Sequence, residues 1–143
     1  KERRKGMTKV LECSKLGDAR FSPEYAKVRF FGREETIETF YEECQKNKRN
    51  LTRKGTEPLD HIVVQSRKLP PSDLKYYLTI LWIAYLDQNP ELIQVLQEYD
   101  RYTDMFNGVY ILDSQAEILT RYKEEGRSVL IKECEPFLKK IRN

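Results

Sequence analysis

One segment of the sequence is apolar on almost every side of a helix, and it constrains the fold more than any other feature. Pro70-Pro71-Ser72-Asp73 is a strong helix-start signal, and Asp73–Asp87 follows it without a polar face. A helix of this kind is usually buried at the centre of a protein. We therefore predict a central helix around which the other elements pack. Its apolar positions are Leu74, Tyr77, Leu78, Ile80, Leu81, Trp82, Ile83, Tyr85 and Leu86.

Three short segments on the N-terminal side of this helix carry strand patterns. Thr8–Cys13 and Ala26–Phe31 are predicted to be strands, and the second ends at Gly32. Asp60–Ser66 contains Ile-Val-Val and is predicted to be either a weak strand or a buried turn. Between the first two strands, Ser14–Pro23 is predicted to be a polar loop, because it contains a Gly-Asp pair and a Ser-Pro pair.

An amphipathic helix is predicted over Glu35–Lys46. Its apolar residues recur at the spacing of one helix face, and they are Ile37, Phe40, Tyr41 and Cys44. Thr36 is the expected N-cap of this helix. The acidic residues Glu34, Glu35 and Glu38 suit the positive end of its dipole.

The C-terminal half is predicted to be mostly helical. Asn89, followed by a proline, predicts a helix start with Asn89 as the N-cap. Asp113-Ser114 is expected to cap a further helix that ends near Gly126, and Asp100–Asn107 is predicted to be a charged connection. The remaining predictions are a strand at Val109–Leu112, either a strand or a helix at Ser128–Ile131, and a last helix at Glu135–Ile141.

Together these elements predict an α+β fold in a single small domain over residues 1–143, mostly helical with a small sheet. The length of 143 residues fits one domain, and a hydrophobic content of 39% fits a globular chain. Residues 1–7 are expected to be a disordered or artificially added terminus.

Several classes of protein are disfavoured by the composition. No apolar run reaches the roughly 20 residues of a membrane span, and no signal peptide is recognisable. The three cysteines, Cys13, Cys44 and Cys134, form no C-x-x-C pair, so neither a disulfide framework nor a zinc site is expected. We predict a cytoplasmic protein with no metal, no cofactor and no membrane partner.

No complete catalytic motif is present in the sequence. The phosphate-binding P-loop and the dinucleotide-binding glycine pattern are both missing. The single histidine, His61, has no nucleophile at a recognisable spacing. We therefore predict a structural or surface role for His61.

Basic residues cluster at the N-terminus and in one internal segment, which makes the internal segment a candidate nucleic-acid contact. Lysine and arginine side chains can neutralise a phosphate backbone, although charge runs usually serve solubility. The internal candidates are Lys46, Lys48, Arg49, Arg53 and Lys54.

Carboxylates are the better candidates for catalysis. Glu38 lies at the edge of the apolar face of its predicted helix, and a half-buried carboxyl group at such an edge has a raised pKa that suits acid–base chemistry. Glu42 follows one turn later on the same flank. The alternative for both residues is an ordinary solvated helix face.

Two polar clusters are candidates for ligand binding. Asp18 and Arg20 flank a turn before Phe21 and Ser22, where the guanidinium could grip a phosphate or could form a salt bridge that stabilises the turn. Asp104 belongs to a second cluster, in which aromatic and acidic residues alternate. That cluster could stack a base and bind ribose hydroxyls, or it could be an ordinary hinge between two helices.

Part of the sequence resembles the NADAR family, which is named for its link to NAD and ADP-ribose. The resemblance rests on Phe31-Gly32 and on the stretch from Thr36 to Tyr41 (TIETFY), which correspond to a strand ending in Gly and a Ser-Val-Glu helix start followed by aromatics. The stretch from Asn89 to Leu92 (NPEL) resembles the middle region of the family. Two positions differ, since the family's Gln falls on Glu42 and its Lys on Gln45. The chain also resembles phage and bacterial proteins that contain Gly-Asp-x-Arg-Phe-Ser and Thr-Asp-x-Phe motifs.

The resemblance implies a small α+β domain that cleaves N-glycosidic bonds in ADP-ribosylated bases or ribosylated small molecules. In such an enzyme, Glu38 would stabilise an oxocarbenium-like transition state or activate water, and Asp104 or Asp18 would orient the ribose. The ligand would be a nucleotide or an ADP-ribose conjugate. Its further contacts would be Asp18, Arg20, Phe21, Ser22, Tyr41 and Glu42, with Tyr41 or Phe21 stacking on the base.

The alternative is a non-catalytic module that binds nucleic acid or a protein, for example in phage–host conflict. The basic segments and the incomplete catalytic set favour this alternative. The sequence does not predict the oligomeric state.

Overall fold

Six helices and six short strands form the described part of the chain, which is residues 8–45, 61–104 and 115–142 of the computed structural model. The helices are α1 (Ile37–Glu43), α2 (Leu74–Gln88), α3 (Glu91–Gln97), α4 (Gln115–Glu125), α5 (Arg127–Glu133) and α6 (Glu135–Arg142). The strands are β1 (Val10–Glu12), β2 (Lys27–Phe30), β3 (Arg33–Thr36), β4 (Ile62–Val64), β5 (Arg67–Leu69) and β6 (Arg101–Thr103). This composition confirms the predicted α+β class, mostly helical with little sheet.

Helix α2 is the centre of the core, as its apolar sequence predicts. It packs against β2, α1, α4 and α5. Leu74, Leu81 and Leu86 expose none of their surface, and Trp82 is buried beside them. Because its exposed residues are few, namely Lys75, Asp87 and Gln88, α2 offers buried apolar surface to neighbours on several sides.

The strands form three separate two-stranded pairs. Strands β2 and β3 are antiparallel, as are β4 and β5, whereas β1 and β6 are parallel. In the parallel pair, Leu11 lies opposite Tyr102 and Glu12 lies opposite Thr103. Parallel strands cannot be joined by a tight turn. The partner of β1 is accordingly distant in the sequence, with Val10 paired to Arg101.

Strand β6 lies inside Asp100–Asn107, which the sequence analysis assigns to a charged connection; that assignment is wrong for Arg101–Thr103. A three-residue strand is too short to show a period of two. Its central residue Tyr102 is buried, and its hydroxyl donates to the backbone oxygen of Leu96 at 2.6 Å.

The start of α1 differs in part from the prediction. Thr36 is the N-cap, as expected, and its Oγ1 accepts a hydrogen bond from the Thr39 N–H at 3.1 Å. Glu34 and Glu35, however, lie in β3 and not in the first helical turn. A hairpin turn at Phe31 and Gly32, both with positive φ, adds this strand before the helix.

Three further predictions are settled by the structure. Ser128–Ile131 lies in helix α5, and Ile62–Val64 forms strand β4. Asn89 is not the side-chain cap of α3, because its Nδ2 instead donates to the backbone oxygen of Tyr85, at the end of α2. The predictions for residues 1–7, Val109–Leu112 and Asp113-Ser114 lie outside the described residues.

None of the helices in the described segments is both long and apolar enough to cross a bilayer.

Candidate ligand site at the ends of β1 and β6

The parallel pair brings two separately predicted carboxylates to one place. Both strands end at the same edge, β1 at Glu12 and β6 at Thr103, and the chain continues from that edge toward Asp18 and into Asp104. Burial raises the pKa of the Cys13 thiol far above its ordinary value, and the negative charges of Asp104, Glu12 and Asp18 add to the rise. Glu12 adjoins Cys13 in the chain, and Asp104 follows Thr103, whose backbone oxygen accepts the Cys13 N–H. In the larger open α/β sheets, ligands bind outside the carboxyl ends of the parallel strands, and the same edge of this pair is therefore the first place to look for a ligand site.

The loop after β1 folds back tightly on the strand. The Cys13 N–H donates to the Thr103 oxygen at 2.6 Å, and the Asp18 N–H donates to the Glu12 oxygen at 2.8 Å. A Cβ on Gly17 would lie 2.3 Å from the Glu12 oxygen. Only glycine permits this approach, so Gly17 sets the position of Asp18.

Asp18 and Arg20 form a salt bridge that stabilises the turn, which was the alternative to a phosphate-binding role for Arg20. The guanidinium donates through Nε and Nη2 to the two carboxylate oxygens at 2.9 and 2.7 Å. Asp18 also caps the following 3₁₀ turn, since its Oδ1 accepts the Arg20 N–H at 3.1 Å. The hydrogen bond from Arg20 lowers the pKa of Asp18. The Tyr85 hydroxyl donates to the Arg20 oxygen at 2.6 Å and fixes the turn to α2.

Asp104 faces the beginning of helix α4. Its Oδ2 accepts the backbone N–H of Ala116 at 3.2 Å, which satisfies one of the free amides of the first helical turn. No described residue donates a hydrogen bond to its Oδ1.

Gln115 is a buried polar residue of the site that the sequence analysis missed. Its side chain is 1% exposed, and its Nε2 donates to the backbone oxygen of Cys13 at 2.6 Å. A glutamine at the start of an amphipathic helix looks like an ordinary surface residue, so the sequence gives no signal for this role.

Glu38 and Glu42 lie on α1 beside the second half of the same loop. The Glu38 N–H donates to the Pro23 oxygen at 3.0 Å, and the Ile37 N–H donates to the Ala26 oxygen at 3.0 Å. Burial and the negative charge of Glu38 raise the pKa of Glu42. The backbone thus attaches α1 to the loop that begins at Asp18.

Three of the predicted ligand contacts lie inside the core. Phe21 and Ser22 are 0% and 1% exposed, and the Ser22 Oγ accepts the backbone N–H of Glu24 at 3.3 Å. Tyr41 is also buried, and burial raises the pKa of its phenol. The described conformation therefore offers neither Phe21 nor Tyr41 for stacking on a base.

Tyr25 is an exposed aromatic residue of this loop that the sequence analysis did not select. It exposes 57% of its surface, and its N–H donates to the Ser22 oxygen at 3.0 Å. It is the residue just before Ala26, where the loop meets α1. Tyr25 is thus better placed than Phe21 to contact a base.

The other predicted contacts add little to this site. The basic candidates Lys46, Lys48, Arg49, Arg53 and Lys54 lie outside the described residues. His61 is half-buried next to β4. In the segments that the structure describes, no three His, Cys, Asp or Glu side chains are placed to hold a metal ion.

Comparisons with protein-family models, with curated proteins and with solved structures give no match to this chain.

Proposed function

We propose that this chain is a NADAR-like hydrolase or sensor of a nucleotide or ADP-ribose conjugate that contains an N-glycosidic bond. The observation that carries the proposal is that Asp18 and Asp104 both adjoin the ends of β1 and β6, since the Asp18 N–H donates to the Glu12 oxygen at 2.8 Å and Asp104 follows Thr103, whose oxygen accepts the Cys13 N–H at 2.6 Å. Two loops from distant parts of the chain place carboxylates together there, and α1 with Glu38 is bonded to the first of those loops.

Carboxylates in this arrangement suit a ribose. The Oδ1 of Asp104 accepts a hydrogen bond from a ribose hydroxyl, while its Oδ2 stays on the amide of Ala116. Glu38 supplies the carboxylate that stabilises positive charge at the anomeric carbon or takes a proton from the attacking water. Glu42 lies one turn further along α1, and burial and the negative charge of Glu38 raise its pKa.

Arg20 keeps its bidentate bond to Asp18 in this proposal and orders the loop. Phosphate recognition by Arg20 would require that bond to open. Tyr25 replaces Phe21 and Tyr41 as the expected contact to the base, because its ring is exposed.

The test is a thermal-shift comparison of the wild type with Glu38→Gln and Asp104→Asn, using ADP-ribose, NAD and a short DNA. We expect ADP-ribose or NAD to raise the melting temperature of the wild type, with a smaller shift for Asp104→Asn. Chromatography of the same mixtures then detects a released base. Release by the wild type but not by Glu38→Gln identifies a hydrolase with Glu38 as its catalytic carboxylate.

Glu98→Gln is the matched control, since Glu98 is an exposed carboxylate at the end of α3. It should bind ADP-ribose and NAD as the wild type does. Ligand binding without any release of base would leave the sensor alternative. The absence of a shift with either nucleotide would contradict both forms of the proposal.

A further inference from the structure

A second candidate surface lies between the β4–β5 hairpin and helix α6. An open cleft of about 650 Å³ is lined there by Gln65, Ser66, Arg67, Lys68, Leu69 and Lys140. None of these residues belongs to the carboxylate site at the ends of β1 and β6. The hairpin is fixed to the core, because Ile62 and Leu69 are a buried cross-strand pair.

Two cations of this cleft, Arg67 and Lys68, are not paired with any carboxylate of the described segments. Five arginines elsewhere in the described segments are paired with carboxylates, as in Arg33–Glu43 at 2.8 Å and Arg127–Asp87 at 2.8 Å. Arg67 and Lys68, in contrast, form no ion pair with a described residue. Lys68 is exposed, and Arg67 is partly exposed.

Lys140 adds a third, anchored cation. Its Nζ lies 2.8 Å from Oδ2 of Asp73, which is 6% exposed, while the lysine side chain is 42% exposed. The buried carboxylate thus holds the ammonium group at the rim of the cleft. The last turn of α6 also carries Lys139 and Arg142, both exposed.

The tip of the hairpin presents polar side chains in an uncommon backbone conformation. Gln65 and Ser66 have φ values of 52° and 65°, a conformation that usually selects Asn or Gly in two-residue turns. Both residues are exposed next to Arg67. Neutral amide and hydroxyl donors beside cations are typical contacts to phosphate oxygens.

We propose that the cleft and the exposed basic face of α6 bind the phosphate backbone of a nucleic acid. The cations are spread over a hairpin and a helix, which fits a row of phosphates and not one enclosed anion. A membrane is a poorer match, because binding to a bilayer surface requires apolar side chains that insert into it. On this hairpin the exposed large apolar residue is Val63, at 38%. A polyanionic strand is therefore the occupant to which the surface is complementary.

The test measures binding of a fluorescein-labelled 20-nucleotide single-stranded DNA by anisotropy over a series of NaCl concentrations. The double variant Arg67→Ser/Lys68→Ser should weaken binding about tenfold at 50 mM NaCl. The slope of log K against log[NaCl] should become shallower by about 1.4, because two phosphate contacts contribute about 0.7 each.

The matched control is Lys27→Ser/Lys132→Ser, which removes two exposed positive charges from β2 and α5. It should bind within about twofold of the wild type. Equal weakening by the two double variants would overturn the proposal, because net charge alone would then explain binding. Failure of the wild type to bind at 50 mM NaCl would overturn it as well.

Two further measurements complete the test. Lys68→Glu, a single change at an exposed residue, should weaken binding even if the double variant fails to fold. Lys140 is not substituted, because its loss would leave the buried carboxylate of Asp73 without its cation. Phosphatidylserine vesicles should not displace the oligonucleotide, and displacement would assign the surface to a membrane instead. The thermal shift with ADP-ribose should be the same in Arg67→Ser/Lys68→Ser and in the wild type. The nucleic-acid proposal and the proposed function can therefore be contradicted independently of each other.

Discussion

Gln115 donates a hydrogen bond from its Nε2 to the backbone oxygen of Cys13, at 2.6 Å and across 102 residues of sequence. The side chain of Gln115 and the whole of Cys13 are buried. This bond joins the first residue of α4 to the residue that follows β1. The position of Asp104, which binds the next residue of α4, therefore depends on the same contact.

Gln115→Met should destabilise the protein by about 1–3 kcal/mol, because a side chain of similar size leaves the buried Cys13 oxygen without its donor. Urea unfolding at pH 7 measures the change. Gln94→Met, at an exposed position of α3, is the control and should change stability by no more than about 0.5 kcal/mol. Equal effects of the two substitutions would contradict the role given to Gln115.

Gly17→Ala should destabilise the loop after β1. The added Cβ would lie 2.3 Å from the oxygen and 2.4 Å from the Cβ of Glu12, so the backbone must move. We expect a loss of about 1–3 kcal/mol in the free energy of unfolding. Leu16→Ala, in the same loop at a residue 69% exposed, should have little effect. A neutral Gly17→Ala variant would show that the loop does not need its close approach.

The salt bridge between Arg20 and Asp18 should stabilise the fold only above acidic pH. Because its pKa lies below the ordinary 3.8 in the folded protein, Asp18 contributes stability above that ordinary value. The contribution is lost as the pH falls through the folded pKa. Arg20→Gln should therefore cost about 0.5 kcal/mol at pH 6, since Arg20 is half exposed, and almost nothing once Asp18 is protonated in both proteins.

Carbon-detected NMR of the Asp18 carboxyl group gives its pKa directly. In Arg20→Gln that pKa should rise toward the ordinary value. Arg101→Gln, at an exposed position on β6, should leave it unchanged. An unchanged Asp18 pKa in Arg20→Gln would refute the assignment.

The three cysteines should react slowly with a thiol reagent in the native protein. All three are buried and free of disulfides. Burial raises the pKa of Cys44 to about 12 and that of Cys134 to about 11, and raises that of Cys13 well above its ordinary value. At pH 8 the thiols are therefore protonated and shielded. The reagent DTNB should label three thiols rapidly in 6 M guanidinium and label them much more slowly without it; rapid labelling of any one thiol in buffer would contradict its burial.

The central helix and the N-cap at Thr36 were predictable because their signals are local. An apolar run indicates burial of α2, and a hydroxyl before an apolar stripe indicates a helix start. The parallel pairing of β1 with β6 was not predictable, since neither three-residue strand carries information about a partner 91 residues away.

The candidate site follows the same division. Asp18 and Asp104 could be selected by residue type, but their meeting depends on that distant pairing. Phe21 was selected for its aromatic ring, whereas the structure buries the ring completely. The role of Gln115 could not be predicted from its neighbours in the sequence, because its side chain is buried only by the contact of α4 with the end of β1.

The separation of β1 and β6 in the sequence also determines when the two strands can pair during synthesis. Ribosomes add about 5–20 residues per second, so β1 leaves the peptidyl-transferase centre roughly 5–18 s before its partner strand is made. During that interval Val10 and Leu11 have no β6 to pair with. The nascent chain must keep this short strand from pairing with other strand edges, and the candidate site can form only after Thr103 and α4 have been made.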